Sequence, residues 1–221
     1  MKGRGIPAAV ASAGLIALVA IGAHGAPAGK KDEGPFKRGL VGRRAYRLYV
    51  PPRSPTESAG AFMAVNLLCA APELISGVGV VAGGAYRCGL GPDGALACMR
   101  GHRLDGDAAA TACLAAAGKS VLAIRASLWQ GDQDSIVTPA NLPALETMFA
   151  RLVGGASKTI ETRDGSAHAR YKNQRGDLVI ESWLVPGLGH AWSGGDPRAT
   201  HTWPPGPSAT ARILDFLLER S

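Results

Sequence analysis

The sequence is poor in charged and aromatic residues. Of its 221 residues, 19% are charged and 5% are aromatic, whereas 46% are hydrophobic. This balance excludes disordered, fibrous and coiled-coil chains and predicts one globular domain. Because aromatic residues are scarce, its core must consist mostly of Ala, Val, Leu and Ile, and the 30 Gly and 15 Pro predict many turns.

Cysteine and histidine are also scarce, and their spacing matches no metal-binding motif. No two of the four cysteines have Cys-x-x-Cys spacing, and no histidine lies at zinc-finger distance from them. We therefore expect no metal and no cofactor. The 24 basic side chains exceed the 17 acidic ones, but they are scattered and have no aromatic residues between them. This distribution argues against a nucleic-acid partner.

A long uncharged run lies near the N-terminus. Lys2 and Arg4 precede an apolar stretch at residues 6–23, and Ala-Pro-Ala at 26–28 offers a small-x-small cleavage site. This pattern predicts a signal peptide over residues 1–28, a single mature domain over 29–221, and a secreted or periplasmic location without a membrane span after cleavage. The alternative is an uncleaved membrane anchor, since the run is long enough to span a bilayer.

Export would allow the cysteines to form disulfides. Cys88 and Cys98 bracket a stretch rich in Gly and Pro that suits a closed Ω-like turn, so we expect a Cys88–Cys98 bridge. Cys69 and Cys113 then form the second pair. The alternative leaves these two as buried free thiols on Ala-rich helices.

Strand and helix signals alternate along the mature chain. This order predicts an α/β sheet that is mostly parallel and flanked by helices, with functional sites at the carboxyl ends of its strands. The predicted strands are 45–50, 77–82, 121–129, 168–172 and 178–185, and the predicted helices are 58–71, 105–117, 139–152 and 208–219.

Residues capable of catalysis fall at three of these strand and helix ends. Ser58 stands at the start of a helix, Asp132 and Asp134 follow the strand that ends at Trp129, and His190 lies in a glycine-rich loop after the next apolar strand. Serine, acid and histidine in this order match the α/β-hydrolase triad. A serine hydroxyl needs a base to take its proton, and that base needs a carboxylate to fix its tautomer.

Each of these residues also has a structural interpretation. Ser58 could be a helix N-cap, and Asp132 and Asp134 could be turn residues. The ordered set of three favours catalysis more than any one member does. The remaining mature histidines, which stand in polar contexts typical of a surface, are His102, His168 and His201.

Four stretches resemble the secreted poly(3-hydroxybutyrate) depolymerase and related esterase family, and the similarity covers nearly the whole mature chain. They are residues 44–52, residues 58–64 running on to 80–88, residues 129–141, and residues 187–195. The resemblance implies that Ser58 is the nucleophile and His190 the base. It makes Asp134 the acid in preference to Asp132, and Cys88 and Cys98 fit the family's cysteine pattern. The implied reaction is hydrolysis of a polyester or a small acyl ester through an acyl-enzyme.

The chain departs from this family upstream of the serine. Only residues 53–57 separate Pro52 from Ser58, where the family has an oxyanion loop and the strand that leads to the nucleophile. Thr56 replaces the first glycine of the G-x-S-x-G elbow. The backbone N–H of Ala59 can supply one oxyanion donor, but the second donor is missing with the absent loop.

Two further hypotheses therefore stand beside the esterase. The first is a catalytically impaired α/β-hydrolase remnant left by an internal deletion, with a binding function or none. The second is a feruloyl or acetylxylan-type carbohydrate esterase of the same fold, whose tryptophans would stack on sugar rings, although structural roles are the preferred reading for them. The residues concerned are Trp129, Trp183, Trp192 and Trp203.

Overall fold

A computed structural model describes residues 60–218 in full, together with the backbone of residues 17–20, 36–41, 44–49 and 57–59. The predicted cleavage site at 26–28 and the short segment at 52–56 lie outside the described residues, as do the side chains of Ser58 and Ala59.

The centre of the described chain is an eight-stranded mixed sheet in the order β2-β3-β1-β4-β5-β8-β7-β6. Its strands are β1 (Ala17–Ala20), β2 (Phe36–Val41), β3 (Arg44–Tyr49), β4 (Gly77–Val81), β5 (Arg125–Gly131), β6 (Ser157–Arg163), β7 (Ser166–Lys172) and β8 (Leu178–Val185). Only β4, β5 and β8 run parallel to one another. The expectation of a mostly parallel sheet is corrected, because short hairpins, which can only join antiparallel strands, build both ends of it.

Helices cover both faces of the sheet. They are α1 (Glu57–Ala70), α2 (Gly91–Met99), α3 (Gly106–Ala117), α4 (Asn141–Leu152) and α5 (Ala209–Leu218). One core lies between the sheet and α1, α3 and α4, and a second core lies between the sheet and α5. This arrangement positions the carboxyl ends of the three parallel strands at one edge, where the predicted site residues follow.

Strand β4 is buried along its whole length, as expected for a short apolar run between neighbouring strands. Its glycines allow α5 to pack closely. A Cβ atom at Gly77 would lie 2.9 Å from the Leu217 side chain, and one at Gly79 would lie 2.8 Å from Ile213. The sequence Gly-Val-Gly-Val-Val therefore fits both the core and the approach of a helix.

Several elements differ from the sequence-based expectations. The stretch between Cys88 and Cys98 contains helix α2 instead of an Ω-like turn, with Pro92 in its first turn, where a missing N–H costs nothing. Helix α4 begins at Asn141, two residues later than expected. Strand β6 was not predicted, since all seven of its residues are exposed and its polar sequence has no alternation.

Strand β1 lies within the segment predicted to be a signal peptide. It pairs antiparallel with β3 and β4 and so stands between them in the sheet. Strand β2, which pairs with β3, was also absent from the sequence-based pattern. Cleavage after residue 28 stays a prediction. In the part of the chain that the structure describes, no helix is long and apolar enough to cross a membrane.

Two disulfides confirm the expected pairing. Cys69 of α1 is bonded to Cys113 of α3, and Cys88 is bonded to Cys98 of α2, with Cα atoms 4.9 and 5.6 Å apart. The alternative of free thiols at Cys69 and Cys113 is therefore wrong. The first bridge joins two helices on the same face of the sheet, and the second closes α2 onto the loop that precedes it.

Candidate active site

The loops that follow β5 and β8 leave the sheet side by side. Gly131, the last residue of β5, is paired with Val185, the last residue of β8. The backbone approach continues beyond the strands, because Asp132 N–H donates to Val185 O at 3.2 Å and Gln133 N–H donates to Leu188 O at 3.0 Å. The acid loop and the histidine loop are thus joined directly.

Gly131 makes this close approach possible. A Cβ atom at this position would collide with the backbone carbonyl of Leu188 and would lie 2.9 Å from Gly189 O. Any side chain at position 131 would therefore force the two loops apart.

Asp134 and His190 meet between these loops. His190 Nδ1 lies 2.8 Å from Asp134 Oδ2, and the two side chains are 12% and 0% exposed. The other oxygen, Asp134 Oδ1, accepts the backbone N–H groups of Ile136 and Val137, each at 2.9 Å. Since an ionised carboxylate only accepts, His190 Nδ1 carries the proton, which leaves Nε2 as the basic nitrogen.

Asp132 holds a different group in this arrangement. Its Oδ1 instead accepts the backbone N–H of Gly187 at 2.7 Å, at the start of the histidine loop. Gly187 has a φ of +74°, a left-handed conformation that favours glycine. The two acids of the loop thus have separate partners, with Asp134 holding the imidazole and Asp132 holding the backbone that carries it.

Ser58 and Ala59 lie in the first turn of α1, which begins at Glu57. The serine is thus inside the helix, and the N-cap interpretation does not fit. Backbone N–H groups in a first helical turn have no intrahelical acceptor, so they remain available to other acceptors.

The start of α1 lies near the carboxyl end of β4. A Cβ atom at Gly83 would lie 2.9 Å from Ala61 Cβ, and one at Gly84 would collide with the Phe62 ring. Gly83 and Gly84 follow β4 directly, at the edge of the sheet from which the loops of Asp134 and His190 also emerge. Helix α1, the acid loop and the histidine loop therefore share one edge of the sheet.

The segment after His190 is fixed to α5. Trp192 N–H donates to His201 O at 2.8 Å, within the two-stranded parallel ribbon of β9 (Trp192–Ser193) and β10 (Thr202–Trp203). The Trp192 indole donates to Thr210 Oγ1 at 3.0 Å, and Ser193 Oγ donates to Pro207 O at 2.7 Å. These contacts hold the chain on the carboxyl side of His190.

Among the histidines that the structure describes, His168 is the one whose predicted location is wrong. It is 1% exposed instead of lying on the surface, and its ring nitrogens are each 3.1 Å from a carboxylate, Nδ1 from Glu161 and Nε2 from Glu181. The ring also stacks on Trp183, with centroids 4.0 Å apart. The polar sequence around it gave no sign of burial, because the carboxylates that satisfy it come from neighbouring strands. His102 and His201 are exposed, as expected.

The tryptophans divide into two pairs. Trp129 and Trp183 are buried and stack on each other with centroids 4.7 Å apart, so they serve the core. Trp192 and Trp203 are half-buried in the ribbon that follows His190. Among the fully described residues, no group of three His, Cys, Asp or Glu side chains could hold a metal ion.

Comparisons with known proteins are consistent with this geometry. The chain is 32% identical over 139 residues to poly(3-hydroxyalkanoate) depolymerase C from Paucimonas lemoignei, a match that covers 60% of this chain and 33% of that protein. The chain thus spans about a third of the length of the curated relative it matches. No family model matches it.

Two solved structures share the fold. One is a substituted PHB depolymerase complexed with R3HB trimer, with a TM-score of 0.55, and the other is PHB depolymerase from Penicillium funiculosum, with a TM-score of 0.54. Each is 16% identical to this chain, and the alignments cover 74% and 73% of this chain and 49% of each of those chains. The α/β-hydrolase-like fold class is therefore confirmed, and so is the resemblance in sequence.

Proposed function

We propose that this relative of the polyhydroxybutyrate depolymerases is a serine esterase that uses Ser58, Asp134 and His190. The observation that carries the proposal is the hydrogen bond between Asp134 and His190 at the ends of adjacent parallel strands. A buried carboxylate that holds one imidazole nitrogen and leaves the other basic is the arrangement that activates a serine. The position of Ser58 in the first turn of α1, at the same edge of the sheet, supports its role as the nucleophile.

In the proposed reaction, Ser58 Oγ attacks the ester carbonyl carbon while His190 Nε2 takes the hydroxyl proton. The alkoxy group leaves with that proton, which gives an acyl-enzyme and a free alcohol. Water then attacks the acyl carbon with His190 again as the base, and the acid product leaves Ser58. The backbone N–H of Ala59 would face the developing oxyanion, and a second donor is not identified.

The proposed substrate is a polyhydroxybutyrate-type polyester or a short acyl ester. The name of the curated relative supports it, as does the R3HB trimer in the complex with a structural neighbour. Clearing of a polyhydroxybutyrate film, set beside acetate release from acetylated xylan, separates this substrate from the carbohydrate-ester alternative.

The decisive test is hydrolysis of p-nitrophenyl butyrate by the purified chain and by Ser58→Ala. We expect this substitution to lower kcat by at least about 10³-fold. Ser120→Ala is the matched control, because Ser120 is exposed and precedes β5, whereas the acid loop follows the other end of that strand. A fluorophosphonate should label the wild type at the peptide that contains Ser58. If the Ser58→Ala variant is as fast as the wild type, the proposal is wrong.

The second candidate, an impaired remnant, is favoured by one observation. Only residues 53–57 separate Pro52 from Ser58, so the resemblance lacks the stretch upstream of the serine. A wild type that neither hydrolyses the ester nor reacts with the fluorophosphonate, but folds cooperatively, would support this candidate.

We also propose that the protein is exported and cleaved after residue 28. The two disulfides support an oxidising compartment. Intact-mass measurement of the protein recovered outside the cytoplasm should give a chain that begins at Gly29. A mass that includes residues 17–20 would contradict cleavage and would fit their place in the sheet as β1.

A further inference from the structure

Gln130 is a buried polar residue near the end of β5. It is the last residue but one of β5, and it is 1% exposed. Burying an amide is unfavourable unless its polar atoms find partners, so its contacts carry information about its role.

The Gln130 amide nitrogen faces only acceptors. Nε2 lies 2.8 Å from Val137 O, 3.2 Å from Asp134 Oδ2 and 3.4 Å from Gly131 O. Since three oxygens surround this atom, it must be the NH₂ group, and the orientation of the amide is fixed. Its two shortest contacts join the Asp134 carboxylate to the backbone at the end of the acid loop.

Gln130 and His190 bind the same carboxylate oxygen. Asp134 Oδ2 faces the Gln130 amide on one side and His190 Nδ1, at 2.8 Å, on the other. The other oxygen is held by two backbone N–H groups. Without Gln130, Oδ2 would have the imidazole as its one remaining hydrogen-bond partner among these contacts, and only the two N–H groups on Oδ1 would oppose rotation of the carboxylate about its Cβ–Cγ bond.

We propose that Gln130 is a positioning residue, which fixes the plane of the Asp134 carboxylate and through it the orientation and tautomer of His190. This inference rests on the proposed function of the Asp134–His190 pair. Gln130 itself touches no reacting atom. Its effect should therefore appear in kcat, where the geometry of the base matters, and not in substrate binding.

The kinetic test is Gln130→Met, which keeps the length of the side chain and removes the donor. We expect kcat for p-nitrophenyl butyrate to fall about 10-fold while KM changes by less than about twofold, the size of one lost hydrogen bond to a charged group. Gln174→Met is the matched control, because Gln174 is exposed and lies in the turn between β7 and β8, at the end of β8 opposite the histidine loop. In an Asp134→Ala background, Gln130→Met should have almost no further effect. An equal fall in both backgrounds would show a merely structural role and overturn the proposal.

A second measurement does not depend on esterase activity. ¹⁵N NMR of the histidine rings reports which nitrogen of neutral His190 carries the proton. We expect the Nδ1–H tautomer in the wild type and in Gln174→Met, and a mixture of tautomers in Gln130→Met. An unchanged tautomer in Gln130→Met would refute the positioning role, whether or not the wild type hydrolyses esters.

The kinetic and NMR measurements distinguish a failure of the proposed esterase function from a failure of the positioning role of Gln130. An inactive wild type whose His190 tautomer still responds to Gln130→Met contradicts the proposed esterase and supports the positioning role. If Gln130→Met does not fold, Gln130→Asn replaces it, because its shorter amide withdraws the donor from Asp134 and keeps a polar group in the site. The same loss of the pure Nδ1–H tautomer is expected there, and its retention would overturn the proposal.

Discussion

Asp132 and Asp134 stand on one short loop, and their side chains face different partners. One holds the backbone of Gly187, and the other holds the imidazole of His190. Both acids follow the same predicted strand, so the sequence pattern alone allows either of them to be the triad acid. The Asp134 carboxylate is distinguished by the contacts that converge on it, which come from His190, Gln130 and two backbone N–H groups.

This difference predicts unequal effects of the same substitution. Asp134→Asn should lower kcat for p-nitrophenyl butyrate by about 10⁴-fold, because an amide can donate to Nδ1 and so favour the wrong tautomer of His190. Asp132→Asn should change kcat by less than about 10-fold, since the Asn oxygen still accepts the Gly187 N–H group. Larger damage from Asp132→Asn than from Asp134→Asn would reverse the assignment of the two acids.

Tyr171 should make stability fall at alkaline pH. Burial raises the pKa of its phenol far above the ordinary value of 10.0, and the neighbouring Glu146 carboxylate adds to this effect. The folded protein therefore keeps the proton when the unfolded chain loses it. Between the two pKa values the unfolded state binds fewer protons, so the free energy of unfolding should fall by roughly 1.4 kcal/mol per pH unit above about pH 10.

Urea denaturation of the wild type and of Tyr171→Phe at pH 9, 10 and 11 measures this effect. Lysines titrate in the same range, so the difference between the two proteins is the informative quantity. The decline with pH should be shallower in Tyr171→Phe, whereas parallel declines would exclude Tyr171 as the cause.

At the level of elements, the sequence predicted best where local signals were strong. Helix α3 shows this, since Asp105 accepts the Ala108 N–H group at its start and Gly118, with φ +61°, ends it. Strands β7 and β8 also lie close to the predicted ranges 168–172 and 178–185, and they pair with each other. Each of these signals involves residues that are near one another in the chain.

The predictions failed where distant residues decide the structure. Strand β6 has an exposed polar sequence and exists because β7 offers it a partner. Within the candidate site, the sequence order predicted that Asp134 and His190 act together, but it gave no indication of the role of Gln130. Its contacts with Val137 and Asp134 depend on how the acid loop folds back on the end of β5.

The contact between the two loops predicts that Gly131 is essential. In Gly131→Ala the new methyl group would meet the Leu188 carbonyl and push the histidine loop away. We expect kcat to fall by about 10²-fold, the size typical of a misplacement near 1 Å. The control is Gly189→Ala, because a Cβ atom there would meet only Gln133 O, at 4.0 Å. Equal activities of the two variants would show that the loops can separate without loss.

At the level of the whole molecule, the two disulfides close chain segments of different length. Cys69 and Cys113 are 44 residues apart, whereas Cys88 and Cys98 are 10 residues apart. A bridge that closes a longer segment restricts the unfolded chain more. Replacing the first pair by Ala should therefore lower the free energy of unfolding by roughly 4 kcal/mol, and replacing the second by roughly 3 kcal/mol.

Urea denaturation of the two double variants tests this order. Each variant replaces two cysteines by Ala and keeps the other disulfide, so the two losses of stability can be compared directly. A larger loss from the Cys88 and Cys98 pair would mean that α2 contributes more to the native state than chain restriction explains.

The Cys88–Cys98 disulfide anchors the end of α2, which in turn contacts the chain that follows the acid loop. The buried Asn141 amide donates to Cys98 O at 3.1 Å and to Met99 O at 3.3 Å, and Thr138 N–H donates to Met99 O at 2.8 Å. The end of α2, which Cys98 anchors, thus supports the chain just after Asp134. A copy that folds in a reducing cytosol would lack the crosslink that anchors the end of α2, so we expect thiol oxidation to steady the acid loop as well as to stabilise the fold.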